Sequence, residues 1–212
     1  IAVVYRFFGI LSPGAVTVLM LLNAIFFGMI VMGTERLATL LFRSQVPGLL
    51  AAAILASHPL FLFYMGDFWD GFMSLSIFVW LTVAAVRLGD IEATGKRINH
   101  ASAVWLGVGM GLLALTNASY VAGYPVLLYL AFRRPLATIR WRFAAVASLT
   151  FLVVISPWTI RNYRAFGRLI PIRTGSGIQI WLGNAPVSEG WLNAKAYAVH
   201  PYVNPIERQS LL

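Results

Sequence analysis

The chain has 212 residues, of which 59% are hydrophobic and only 11% are charged, whereas a soluble domain usually carries about 25% charged residues. This composition excludes an ordinary soluble enzyme and predicts an all-α polytopic membrane protein. The net charge of +9 is interpreted as a determinant of membrane topology and not of nucleic-acid binding, because basic residues orient so apolar a chain in a bilayer.

Six apolar stretches approach the length of about 20 residues that a membrane-spanning helix needs. In chain order they cover about 13–33, 46–63, 70–88, 101–116, 120–132 and 143–160. The second is interrupted by His58-Pro59, and the fifth is the shortest. We therefore predict a bundle of about six transmembrane helices in residues 1–160, followed by a C-terminal extramembrane loop region in residues 161–212.

Basic residues occupy alternate loops of this arrangement, as short cytoplasmic loops do. The loops at 34–46, 87–100 and 133–142 hold nine of them: Arg36, Arg43, Arg87, Lys96, Arg97, Arg133, Arg134, Arg140 and Arg142. The connections near 64–70 and 117–120 hold none. We predict that the three basic loops are cytoplasmic and that the other two connections and residues 161–212 share the opposite face.

Two acids at the predicted outer end of a span, Asp67 and Asp70 in YMGDFWDGF, are the candidate catalytic residues. An ionisable residue at the edge of a membrane segment is costly, and its first interpretation is functional. The alternative is that both acids cap a helix, because carboxylates are favoured at helix N-termini.

The segment SPWTIRNYRAFGRLIPIRTGSGIQIWLGN marks the change from apolar to polar sequence. Guanidinium groups stay charged and match phosphate oxygens, so Arg161 and Arg164 are candidates for binding a substrate phosphate. For Arg161 the alternative is contact with lipid phosphates. Asn162 is a further candidate in this segment, unless its side chain only holds the loop backbone.

The remaining candidates are Asn117 and Tyr120, which could bind a sugar through hydrogen bonds; a helix-capping role is the alternative for Asn117.

The histidines have no metal-binding spacing, so no metal site is predicted, and a divalent metal stays open as a cofactor. Gly107 and Gly111, in GVGMGLL, predict close helix packing and not a phosphate-binding loop.

A family resemblance accompanies these residues. The pattern PWTIRNY...FG...P...G...WLGN, with YRFFGILSPGAVTVLMLLNAI and SHPLFLFYMGDFWDGFMSLSIFVW upstream, resembles bacterial membrane glycosyltransferases related to the dolichyl-phosphate-mannose protein mannosyltransferases and the lipid A aminoarabinose transferase. It covers nearly the whole chain and is specific in the first pattern. The resemblance implies a C-type glycosyltransferase fold in the bacterial inner membrane, with residues 161–212 in the periplasm.

The activity implied by the resemblance is transfer of a sugar from a polyprenyl-phosphate donor to a lipid, glycan or protein acceptor. The chain begins with Ile1 and not with Met, and we expect a fragment whose catalytic Asp, in the family's first external loop, lies upstream. Asp70 falls at the second acidic position, where Glu is common, and Asn117 where many relatives carry a basic residue. Two other classes stay open: a transporter or flippase-like bundle for a lipid-linked substrate, and a non-catalytic membrane subunit.

Overall fold

A computed structural model describes residues 2–64, 70–93, 99–131 and 137–173. Of these residues 89% are helical and none is in a strand, which confirms the predicted all-α class. The helices are α1 (Ala2–Phe8), α2 (Pro13–Phe42), α3 (Gln45–Ser57), α4 (Pro59–Tyr64), α5 (Gly71–Ala93), α6 (His100–Thr116), a 3₁₀ helix (Ala118–Gly123), α7 (Tyr124–Ala131) and α8 (Ala137–Phe166).

Three helical segments are long and apolar enough to cross a membrane: Pro13–Phe42, Gly71–Ile91 and Trp141–Phe166. Large apolar side chains on them are exposed, since Leu21 on α2 and Leu149 on α8 have exposed fractions of 60% and 64%. Contiguous apolar surface of this kind is typical of contact with lipid. The structure thus supports a membrane protein. Three helices are long enough to cross, against the predicted count of about six; Gln45–Ser57, His100–Thr116 and Ala118–Ala131 are apolar but shorter.

The second predicted span consists of two short helices. His58 separates α3 from α4 with an extended backbone, φ −73° and ψ 118°, because the ring of Pro59 disfavours helical geometry in the residue before it. With 13 and 6 residues, neither helix alone reaches the length of about 20 residues that a spanning helix needs.

Pro157 lies inside α8 without ending it. Proline has no N–H, so the carbonyl four residues earlier, that of Val153, loses its helical donor. The hydroxyl of Ser156 donates to this carbonyl at 2.8 Å and replaces the missing bond. The helix therefore continues beyond residue 160 to Phe166, and Gly167, with φ +66°, ends it in the left-handed conformation common at helix C-termini.

Helix α5 packs against α2, α6 and α7. The indole N–H of Trp80 on α5 donates to the carbonyl of Met29 on α2 at 3.1 Å, close to the position where Gly33 of α2 meets Val79. The small residue lets the two backbones approach, and the indole bond fixes their register.

Gly107 and Gly111 of α6 lie directly against α8. A Cβ atom on Gly107 would meet the backbone carbonyl of Ala147, and one on Gly111 would lie 2.6 Å from Cβ of Val154. The predicted close packing at these two glycines is therefore confirmed.

The chain divides into two units, Ile1–Pro157 and Trp158–Leu212. The division falls within α8. The first unit contains α1 to α7 and the larger part of α8, and the second is described as far as Arg173.

Candidate functional site

A group of polar side chains lies where the start of α5 meets the end of α6. We call Asp70, Ser74, Thr116 and Tyr120 the Asp70 cluster. Asp70 directly precedes α5, and its carbonyl accepts the N–H of Ser74 at 2.9 Å, so it occupies the N-cap position that the sequence offers as the alternative to function. Its carboxylate, however, also accepts from the side chain of Ser74, which in turn contacts α6.

Ser74 connects the two helices. Its hydroxyl oxygen lies 3.4 Å from Oδ2 of Asp70 and 3.3 Å from Oγ1 of Thr116, and its side chain is fully buried. Thr116 donates its own proton to the carbonyl of Leu113 at 2.7 Å, so it acts as an acceptor toward Ser74. One Ser74 proton therefore serves two acceptors, and the Asp70 carboxylate keeps most of its roughly four lone-pair positions for donors outside the cluster.

Tyr120 lies close to this carboxylate. Its ring contacts that of Phe78, with centroids 5.1 Å apart, and the negative charge of Asp70 acts on its phenol. A neutral phenol next to a carboxylate offers one hydrogen-bond donor beside several acceptor positions.

Asn117 turns the chain from α6 into the 3₁₀ helix. Its N–H donates to the carbonyl of Leu113 at 2.8 Å, and its side-chain oxygen accepts the N–H of Ser119 at 3.1 Å. The capping role is therefore present. In the described ranges its side-chain N–H₂ has no hydrogen-bond partner, which leaves the donor end of the amide for another group.

The structure thus brings together three of the predicted site residues, Asp70, Asn117 and Tyr120, at one end of the α5–α6 pair. Sequence reasoning missed Ser74 and Thr116. The signal for Ser74 was its spacing of four residues from Asp70, which places both on one helical face. No comparable signal marks Thr116, because its role depends on the antiparallel pairing of α5 with α6. Asp67, the other candidate acid, lies outside the described residues.

In the second unit, polar residues of the PWTIRNY motif hold the segment that follows α8. Trp158 donates its indole N–H to the carbonyl of Ile172 at 2.7 Å, and Thr159 donates to that of Pro171 at 2.7 Å. The Asn162 amide donates to the carbonyls of Ile170 and Ile172 at 3.0 and 3.2 Å. We call Trp158, Thr159 and Asn162 the α8 clasp; they lie on one face of the helix because of their spacing.

Asn162 is 3% exposed, and its amide is used by the clasp, as in the alternative that the sequence allowed. Arg161 stacks on the ring of Trp158, with its guanidinium carbon 4.7 Å from the ring centroid, and donates to Oδ1 of Asn162 at 3.2 Å. A stacked guanidinium keeps its outer N–H groups available for an anion. Arg164 is exposed in the last turn of α8, where a positive charge also favours the helix terminus.

Replacing Asn162 with Asp should release the segment after α8. The new carboxylate would face two carbonyl oxygens that now accept from the amide N–H₂, so attraction becomes repulsion. Asn162→Ala should cost about 1–3 kcal/mol, because the carbonyl of Ile170 loses its donor while that of Ile172 keeps the Trp158 indole N–H. We expect faster amide exchange and proteolysis at residues 167–173 in both variants. Arg164→Ala, an exposed neighbour, is the control. Unchanged protection in Asn162→Asp would show that the clasp does not hold the segment.

Among the side chains that the structure describes, no group of three or more His, Asp or Glu residues could hold a metal ion. His58 contacts Phe61 edge-on, with ring centroids 5.8 Å apart, and accepts the N–H of Leu60 at 3.3 Å on Nδ1. This histidine therefore belongs to the break between α3 and α4.

The similarity of this chain to known proteins was compared at three levels. No family model matches the chain, and neither a curated protein nor a solved structure is significantly similar to it.

Proposed function

We propose that this chain belongs to a membrane glycosyltransferase that transfers a sugar from a polyprenyl-phosphate donor to an acceptor on the non-cytoplasmic face. The observation that carries the proposal concerns the Asp70 carboxylate, at the end of an apolar helix pair: among the described residues its one hydrogen-bond donor is the Ser74 hydroxyl, whose proton it shares with Thr116. Sugars offer many hydroxyl donors, and a carboxylate has about four acceptor positions with which to bind them.

The remaining parts of the cluster fit the same ligand class. Tyr120 offers a neutral hydroxyl and an aromatic face, and Asn117 offers an amide N–H₂. Carboxylate, amide and phenol together bind both the acceptor and the donor side of sugar hydroxyls. The exposed apolar side chains of α2 and α8 support a donor with a long hydrocarbon tail, because such a substrate reaches its enzyme through the bilayer.

In the proposed reaction an acceptor atom attacks the anomeric carbon, the bond between this carbon and the phosphate oxygen breaks, and the lipid phosphate leaves with the electron pair. The acceptor's proton passes to a general base, which the family resemblance implies to be an aspartate. Asp70 orients the donor sugar. The second unit, taken by itself, offers Arg161 as a phosphate-binding residue, since charge-assisted hydrogen bonds to phosphate are the strong ones.

The test is a transfer assay with the full-length protein in phospholipid vesicles. Polyprenyl-phosphate mannose and polyprenyl-phosphate glucose, each labelled in the sugar, are supplied with bacterial membranes as the source of acceptors. We expect label to move to an acceptor in step with release of polyprenyl phosphate, and Asp70→Asn to slow both. Absence of transfer from a broader panel of polyprenyl-phosphate sugars would contradict the proposal.

A flippase for a lipid-linked substrate is the second candidate, and the break between α3 and α4 at His58 favours it. Carriers of small substrates commonly contain interrupted membrane helices at the binding site. The same vesicles decide between the two functions if the polyprenyl phosphate carries a fluorophore that an impermeant reductant quenches. The reductant reaches only the outer leaflet, so labelled lipid in the inner leaflet stays fluorescent unless it is flipped outward. Rapid loss of this inner-leaflet fluorescence, without sugar transfer, would support the flippase and exclude the transferase.

A further inference from the structure

An open groove of about 350 Å³ runs between α5 and α6. Its α5 side includes Trp80, Leu81, Ala84 and Arg87, and its α6 side includes Ser102 and Trp105. The volume is within the range of about 300–1,000 Å³ that is typical of small-molecule sites. The groove is separate from the Asp70 cluster, which lies at the opposite end of α5.

The polar lining of the groove is confined to one end. Ser74 and Thr116 are in contact at the start of α5, so the two helices are antiparallel, and Ser102 near the start of α6 lies at the level of Arg87. Leu81 is six residues before Arg87, which is about 9 Å along the helix. The groove therefore changes from charged and hydroxylated at one end to apolar at the other.

The change from a polar to an apolar lining matches the depth that each lining residue would have if α5 crosses a bilayer. Arg87 lies 16 residues beyond Gly71, about 24 Å along α5, whereas the hydrocarbon core is about 30 Å thick. If α5 enters the core at Gly71, then Arg87 reaches the opposite headgroup layer with its long side chain, and Leu81 lies near the middle. Trp105, 71% exposed, lies between these levels at the edge of the groove.

Arg87 is the charged residue of the lining. It is exposed, and within the described part of the chain no carboxylate forms an ion pair with it. A guanidinium that lines the same groove as a serine hydroxyl is suited to bind a phosphate group with its planar set of N–H donors. The apolar wall below it is suited to a hydrocarbon chain.

We propose that the α5–α6 groove binds one anionic glycerophospholipid. Its phosphate contacts Arg87 and Ser102, and one acyl chain lies along Leu81, Ala84 and Trp105. The charge complementarity of Arg87 with a net negative headgroup selects this lipid over a zwitterionic one. The site is independent of the proposed transferase activity, because it uses the end of α5 away from Asp70.

The test measures lipid affinity with the protein purified in detergent, by native mass spectrometry with phosphatidylglycerol or phosphatidylcholine. We expect one tightly held phosphatidylglycerol. Arg87→Gln should weaken it about 10-fold or more, the effect of losing a charge-assisted hydrogen bond, whereas Arg87→Lys should retain most of the binding. Arg142→Gln, which removes an exposed arginine outside the groove, is the matched control and should have no effect.

Ala84→Phe tests the acyl-chain half of the site. Ala84 is exposed and lines the groove, so a phenyl ring should fill the groove without disturbing buried residues or the charge of Arg87. We expect loss of the bound phosphatidylglycerol in this variant also, and it decides the question if Arg87→Gln does not fold. Three results would each overturn the proposal: equal binding of both lipids, equal losses of affinity in Arg87→Gln and Arg142→Gln, or unchanged binding in Ala84→Phe.

Discussion

Asp70→Asn should lower the rate of sugar transfer by about 10-fold to 100-fold, since a hydrogen bond to a charged group contributes about 1.5–3 kcal/mol and each 1.4 kcal/mol is tenfold in rate. Asparagine keeps the shape of the side chain and an oxygen that can accept from Ser74, 3.4 Å away in the native cluster. The substitution therefore removes the charge, and with it the strong acceptor for sugar hydroxyls, while folding should be retained. The measurement is the transfer rate at saturating donor, with thermal unfolding of each variant alongside.

The matched control is Asp90→Asn, which makes the same substitution at the opposite end of α5 and should leave transfer unchanged. Asp70→Glu keeps the charge on a longer side chain, and it should recover part of the lost rate. A cap role alone predicts a different pattern: Asp70→Asn would then leave the transfer rate unchanged, because asparagine caps a helix about as well as aspartate, and Asp70→Ala would lower the melting temperature. That result would remove Asp70 from the proposed site.

Gly107→Ala should destabilise the fold by about 1–3 kcal/mol, the usual cost of inserting a methyl group into a packed interface. A Cβ atom at Gly107 would meet the backbone carbonyl of Ala147 and lie 2.8 Å from Cβ of Thr150. Neither atom is at the end of a flexible side chain, so α6 and α8 would have to separate. For a chain of this length we expect the melting temperature to fall by about 3–10 °C.

Replacing glycine with alanine normally stabilises a helix by up to about 1 kcal/mol. Whether a given substitution raises or lowers the stability of the fold therefore depends on the space around that glycine. Gly28→Ala on α2 is the control, because a Cβ there would meet nothing within 4 Å, and its melting temperature should stay the same or rise. Gly109→Ala should be intermediate, since the obstacle is the flexible end of Leu81. Equal melting temperatures for Gly107→Ala and Gly28→Ala would mean that the α6–α8 interface is not closely packed.

The helical class and the membrane character followed from local properties of the chain. Apolar stretches predict helices because a segment in lipid must satisfy its own backbone hydrogen bonds, and Gly107 and Gly111 predicted close packing from their spacing alone. The lengths of the helices were harder to predict from the sequence. Pro157 is a helix-breaking residue by type, yet the hydroxyl of Ser156 supplies the bond that it removes, whereas Pro59 does end a helix.

For the candidate site, residue type and position along the chain were enough to predict three members: an acid before an apolar run at Asp70, and polar residues at Asn117 and Tyr120. Ser74 and Thr116 join them through the packing of α5 on α6, because 42 residues separate these two hydroxyls in the sequence and their contact exists only when the two helices pair. The same holds for Asn162, whose amide donors are used by the carbonyls of Ile170 and Ile172. A residue type specifies which hydrogen bonds a side chain can form, and the packing of the chain determines which partners it meets.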